Sequence, residues 1–140
     1  FVIKEIENEA ELYDFKKVFV ETYEIPAWAG QAWVDATLKI GIGKTRWRMF
    51  VGYLNGEPVA TKMLFNGGGG ASVYAVATLP SAQGKGIGAA ITLKPLLDAR
   101  DKDGYVYAVL FSSEMGVKIY QRIGFRMTDV RINRYLWRNG

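Results

Sequence analysis

The chain contains no cysteine and no histidine. The first absence excludes a disulfide framework, a thiolate nucleophile and a cysteine-based zinc site; the second removes the commonest general base and the Ser-His-Asp triad. Catalysis is left to carboxylates, hydroxyls, amines and backbone dipoles, and no metal site is expected. A long apolar run is missing too. The longest, Tyr105-Val106-Tyr107-Ala108-Val109-Leu110-Phe111, falls far short of the ~20 residues that span a bilayer, and residues 1–20 lack a basic start followed by an apolar stretch. These absences predict a soluble, cytoplasmic protein with no membrane partner. A dense basic patch is also lacking. Lys plus Arg exceed Asp plus Glu by only 18 to 14, and the local clusters (Lys44 to Arg48, Arg131 to Arg138) are short and interrupted by apolar residues. Nucleic acid is therefore not the expected partner, and an acidic small ligand suits the charge at least as well.

What is present describes a folding chain. Of 140 residues 49% are apolar and 23% charged, which predicts a single globular domain over 1–140. It begins at Phe1 rather than Met, as a domain cut from a longer chain would. Residues 1–6 are β-prone, and Asn8 with Glu11 makes a capping pair for a helix over about 9–23 that buries Leu12, Phe15, Val18 and Phe19. Pro26 opens a second helix with Trp28, Ala32, Trp33 and Ala36 near one face, closed by Gly41 and Gly43. Trp47–Leu54 and Val59–Phe65 flank Asn55-Gly56, a two-residue hairpin signal.

Gly67 to Gly70 mark a flexible turn into a strand over 72–78; a phosphate cradle is the less favoured reading, because no helix follows directly. Gly86 to about Arg100 is helical in pattern, with Pro95 expected to kink or shorten it. Tyr105–Phe111 reads as a buried strand, Ser112 or Ser113 as the cap of a short helix to Arg122 closed by Gly124, and Phe125–Trp137 as extended. The order is β-α-α-β-β-β-α-β-α-β: an α/β (α+β) fold with a mixed, mostly antiparallel sheet flanked by helices.

The chemically informative stretch ends a strand at Val76-Ala77-Thr78, turns through Pro80 and opens a helix with Gly84, Gly86 and Gly88 at alternate positions. Without side chains there, backbone N–H groups converge at the positive end of a helix, a site for phosphate, and Lys85 adds a cation. A tight turn without a ligand is the alternative. The spacing matches neither G-x-x-x-x-G-K-[ST] nor the Rossmann fingerprint.

Gln83-Gly84-Lys85-Gly86-Ile87-Gly88 resembles the [RQ]-x-x-G-x-[GA] signature of GNAT-type N-acetyltransferases, with Thr78-Leu79-Pro80 where that family has V-x-P. Ser113 to Phe125 is similar to a second family segment, N-x-x-A-x-x-x-Y-x-x-x-G-F, in the right order about 30 residues on. The resemblance implies a GNAT-like fold and transfer of an acetyl group from acetyl-CoA to a primary amine of a small molecule or peptide, by direct attack in a ternary complex. It implies that Gln83, Gly84, Lys85, Gly86, Ile87, Gly88 and Ala89 hold the pyrophosphate, and that Val76, Ala77 and Thr78 pair with the pantetheine arm. It further implies that an N–H near Thr78 polarises the thioester and that Tyr120 protonates the departing thiolate.

Ser113 stands where the family often has a pantetheine-contacting Asn, and Gly116 where Ala is usual, a change that weakens the helix by ~1 kcal/mol. The strand from 71 to 78 carries no carboxylate, so no general base is assigned; Glu24 and Glu114 are candidates. Tyr23, Glu24 and Trp28 are the candidate acceptor-binding residues, with core packing as the blander reading of the aromatics. The alternative function is a non-catalytic CoA-binding or regulatory module, and pairing through the C-terminal strand would make a homodimer.

Overall fold

Two tight hairpins organise the sheet. Asn55 and Gly56 both adopt positive φ, which sets β2 (Trp47–Leu54) antiparallel to β3 (Glu57–Gly67). Gly68 and Gly69 do the same between β3 and β4 (Gly70–Thr78). The tetraglycine is thus not a loose turn: Gly67 and Gly70 pair across the ladder, and β4 starts two residues earlier than the sequence suggests. The computed structural model describes residues 1–130. In it β1 (Val2–Glu5), α1 (Glu9–Tyr23) and α2 (Ala27–Ile40) precede the hairpins, and α3 (Ile87–Asp103), β5 (Ala108–Leu110) and α4 (Glu114–Arg122) follow. The sheet order is β1-β2-β3-β4-β5, antiparallel except for the parallel β4–β5 pair, which α3 connects.

Both faces of the sheet are covered. Leu12, Phe15 and Val34 from α1 and α2 pack on Met49 and Val51, while Phe50, Leu64 and Val73 meet Ala99 of α3 on the other side. Double coverage explains why β2 carries no polar side chain from Met49 to Val51, its buried middle. Asn8 caps α1 as expected, its side chain accepting from the Glu11 amide at 3.0 Å. The second helix buries only part of the expected face: Trp33 packs on the core beside the interior Gly30 and Val34, whereas Ala32 and Ala36 are exposed and Trp28 is 76% exposed.

Pro95 does not shorten α3, which continues to Asp103. The proline costs the helix the donor to the Ile91 carbonyl, but Ile91, Pro95 and Ala99 are all buried against the sheet, and that packing holds the helix together. Beside this interruption the fully buried Lys62 of β3 donates to the Thr92 carbonyl at 2.6 Å.

The strand expected over 105–111 is reduced to Ala108–Leu110, and it is not buried: Val106 is 87% and Phe111 65% exposed. It borders β4 on one side only among the described residues, so its other backbone edge has no ladder partner there. Ser113 occupies the N-cap of α4, but neither it nor Ser112 makes the expected side-chain cap; the Ser112 hydroxyl donates to the Ser113 carbonyl at 2.6 Å. Residues 125–130 form no strand, and the remainder of the extended segment expected to Trp137, with the dimer contact placed on it, lies outside the described residues.

Candidate active site

The site forms where β4 and β5 part. Their parallel pairing runs only from Ala71–Ala108 to Val73–Leu110, after which β4 continues alone to Thr78. Ala77 and Thr78 therefore pair with β3 on one side, and the stretch Val76-Ala77-Thr78 has no strand on the other among the described residues. A bulge sharpens the separation. Thr61 faces Ala77 while Met63 faces Tyr74, so two steps of β3 oppose three of β4, and Ala75 takes up a positive φ of 50°. For an alanine this conformation costs about 1 kcal/mol or more, and it persists because two side chains hold it. The Thr61 hydroxyl donates to the Ala75 carbonyl at 2.9 Å, and the Tyr23 hydroxyl, from the end of α1, donates to the Val76 carbonyl at 3.0 Å.

Beyond β4 the chain makes a single 3-10 turn (Pro80–Ala82) and enters α3. Leu79 donates to the Val59 carbonyl at 2.9 Å and Ala82 is buried, so the turn is anchored to β3. Gly84 and Gly86 both lie at positive φ, 75° and 76°, which the reversal into the helix demands. Gly88 has ordinary helical geometry; a Cβ there would sit 3.6 Å from the Thr78 hydroxyl oxygen. The amides of Gly84, Lys85, Gly86, Ile87, Gly88 and Ala89 find no hydrogen-bond acceptor among the described residues, the first internal bond of the helix being Ala90 to Gly86. Three of these N–H groups precede and three open a 17-residue helix, at the end where its dipole is positive.

Two side chains of this turn serve it internally. Gln83 donates through Nε2 to the Thr78 carbonyl at 3.0 Å, tying the turn back to the strand, and Lys85 folds its ammonium onto the Ser81 carbonyl at 3.1 Å instead of standing over the amides. Lys85 is exposed and its long stem is free to swing. Ile87 faces the core.

Tyr120 lies on α4, partly buried and close enough to Tyr23 to feel its charge. Its ring packs edge-on against Phe125, centroids 6.0 Å apart. Burial, with a smaller contribution from the neighbouring Tyr23 phenol, pushes its pKa above the usual tyrosine value, so the hydroxyl is protonated at neutral pH. Burial likewise raises Tyr23. The structure thus brings Tyr23, Val76 and Tyr120 together. Glu24, the C-cap of α1 next to Tyr23, and Trp28 in the first turn of α2 are both exposed, and Glu24 makes no side-chain hydrogen bond among the described residues. Ser113 and Glu114 lie exposed at the start of α4.

Sequence reasoning missed the bulge at Ala75, which has no local signal, and the burial of Lys62, whose signal was available: one cation inside the apolar run Val59 to Phe65. Lys62 is pushed down to about 7 by desolvation first and by nearby Arg48 second, with no carboxylate in salt-bridge range among the described residues. Through Thr92, whose hydroxyl donates to the Gly88 carbonyl at 2.8 Å, it supports the first turn of α3.

Known proteins show the same architecture. An acetyltransferase from Trypanosoma brucei superposes with a TM-score of 0.74 at 22% identity, over 96% of this chain and 99% of its own. A putative acetyltransferase from Agrobacterium tumefaciens gives 0.75 at 18%, over 97% and 100%. A predicted acetyltransferase from Clostridium acetobutylicum, solved with acetyl-CoA, gives 0.71 at 14%, over 96% of each. No curated protein matches the sequence. The family model for the acetyltransferase (GNAT) domain matches residues 45–127, from the start of the β2–β3 hairpin through α4, and covers more than half of the chain. The chain therefore belongs to the GNAT acetyltransferase domain family.

Proposed function

We propose that this protein transfers the acetyl group of acetyl-CoA to a primary amine by direct attack, with both substrates bound at once. The carrying observation is the pair of features at the end of β4: six amides without acceptors at the start of α3, and a strand edge that β5 leaves free. The residues suit the ligand. A pyrophosphate matches backbone donors at a helix N-terminus, and an extended arm bearing amides matches an unpaired strand edge. In this reading Gln83 to Ala89 hold the pyrophosphate, Val76, Ala77 and Thr78 pair with the arm, and Ser113 lies at its far side. Acetyl-CoA supplies an acetyl group activated as a thioester.

The amine nitrogen attacks the thioester carbonyl carbon, a C–N bond forms and the C–S bond breaks. An N–H near Thr78 stabilises charge on the carbonyl oxygen, and the Tyr120 phenol gives its proton to the leaving sulfur. Burial keeps the phenol protonated but makes it a weaker acid, so the transfer depends on the sulfur being held at the hydroxyl. Proton removal from the amine has no assigned side chain; Glu24 and Glu114, both exposed, are the candidates, acting on the amine through water. Tyr23 holds β4 through the bond from its hydroxyl to Val76, and in this reading its ring and the oxygen's lone pairs also face the acceptor amine.

The test is acetyl transfer from acetyl-CoA across a panel of small-molecule and peptide amines, followed as CoA release. Acceptor-dependent release supports the reading. Tight acetyl-CoA binding with no release across the panel favours the alternative, a CoA-binding regulatory module.

A further inference from the structure

Lys62 is a charge without a counter-charge. Its side chain is fully buried, its ammonium donates to the Thr92 carbonyl at 2.6 Å, and no carboxylate lies in salt-bridge range of it among the described residues. Buried charges are ordinarily paired, because a carbonyl dipole replaces only part of the lost hydration. The charged groups around it offer no partner. Arg48 of β2 repels it and is itself held by Glu5 of β1 and Asp103 of α3, at 2.6 and 3.4 Å. Lys94 and Asp98, exposed on α3, pair with each other at 3.1 Å, and β4 carries no charged residue.

The position of the charge points to what it acts on. Thr92 follows Ile87, the first residue of α3, by five positions, which places it about 7.5 Å along the axis from the helix start. The Thr92 hydroxyl reaches back to the carbonyl of Gly88, one of the residues whose amides have no acceptor among the described residues. Towards that end the same face of the sheet is packed with Ala60, Ile87 and Ile91, all buried. The ammonium and the helix start are thus separated by protein interior, where a charge is weakly screened.

We propose that Lys62 is the buried counter-charge of the phosphate site: its ammonium, held under α3 by the Thr92 carbonyl, adds to the positive helix end and strengthens pyrophosphate binding there, and the bound ligand in turn holds the proton on Lys62. The inference rests on the reading of the start of α3 as the pyrophosphate site. Coupling of this kind is reciprocal. The ammonium without a ligand is penalised by desolvation, which brings its pKa down to about 7, so binding at higher pH draws a proton from the buffer onto the amine.

Calorimetric titration of acetyl-CoA into the parent and Lys62→Met at about pH 8, in two buffers of different ionisation enthalpy, counts the protons taken up; the ligand's phosphates are already ionised there. The expected result is uptake of a substantial fraction of a proton by the parent and none by the variant. The parent should bind about fivefold more tightly at pH 6, and the two should converge at pH 10. The variant should also have the higher thermal midpoint, so its loss of affinity cannot come from a damaged fold. In the parent alone, the 13Cε resonance of Lys62 should titrate near pH 7, with a midpoint that rises by about half a unit or more when acetyl-CoA binds. Equal proton uptake in the two proteins, equal affinity at pH 6 or a midpoint that acetyl-CoA does not move overturns the inference and leaves the cofactor site standing. No binding by either protein at millimolar acetyl-CoA overturns the phosphate-site reading and the inference with it.

Discussion

The two strand-to-helix units that flank the gap are built differently. The β4–α3 unit pairs a nine-residue strand with a 17-residue helix that buries Ile87, Ile91, Thr92, Pro95 and Ala99. The β5–α4 unit pairs a three-residue strand with a nine-residue helix in which no residue is buried. Their assigned tasks differ in the same way. The first presents backbone amides, which keep their geometry only if the helix start and the strand end are fixed to the core; the second delivers one side chain, whose placement rests on the immediate contact of Tyr120 with Phe125. A backbone site needs a deep foundation, whereas a single phenol needs only the right neighbours.

This contrast can be broken from either side. Tyr120→Phe should lower kcat by on the order of 10²-fold and leave the acetyl-CoA dissociation constant within about twofold, read by steady-state kinetics and calorimetric titration. Equal losses in both would show that the β5–α4 unit also binds.

The next effect concerns the foundation of the first unit. Lys62 has its folded pKa depressed from 10.5 to about 7, so the unfolded chain binds its proton more tightly than the fold does. Its contribution is then a destabilisation, fully present below pH 7, that fades as the pH rises towards 10.5. Lys62→Met should raise unfolding free energy by about 2 kcal/mol at pH 7 and by much less at pH 10, measured by urea denaturation at both values. A gain that does not vary with pH would mean that Lys62 is not held as an uncompensated cation.

Gly86→Val places a β-branched residue at φ 76° and should weaken acetyl-CoA binding by about tenfold or more, with kcat at saturation less affected. Lys85→Ala should matter least. Its ammonium is exposed and rests on a carbonyl of its own turn, so the loss in affinity should be about threefold in low salt and should vanish as salt rises.

Much of this was legible because it is local. Asn55-Gly56, the Asn8 cap and the glycines at 84 and 86 impose their geometry wherever they occur, and each forms the turn or cap its residues require. The elements misread were those decided by distant partners. Trp28, Ala32, Trp33 and Ala36 are spaced as a core face, but with α1 approaching at Gly30 only Trp33 of them packs on the core, beside Gly30 and Val34. Pro95 breaks an isolated helix, yet α3 is carried past it by packing on the sheet. For Tyr23, read from its place between two helices as an acceptor contact, the fold adds what no local signal shows, a bond from its hydroxyl to the carbonyl of Val76, 53 positions away. The bulge at Ala75 depends on Thr61 and Tyr23 together, and no window of sequence contains both with it.

The central claim is that acetyl-CoA binds through the backbone at the start of α3. Amide NMR of the 15N-labelled protein with and without acetyl-CoA tests it most directly, because the chain carries a second glycine cluster at 67–70 as an internal control. The account predicts large shifts for the amides of Gly84, Gly86 and Gly88 and of Val76 to Thr78, with those of Gly67 to Gly70 scarcely moved; shifts confined to other parts of the fold, or none at millimolar acetyl-CoA, would contradict it.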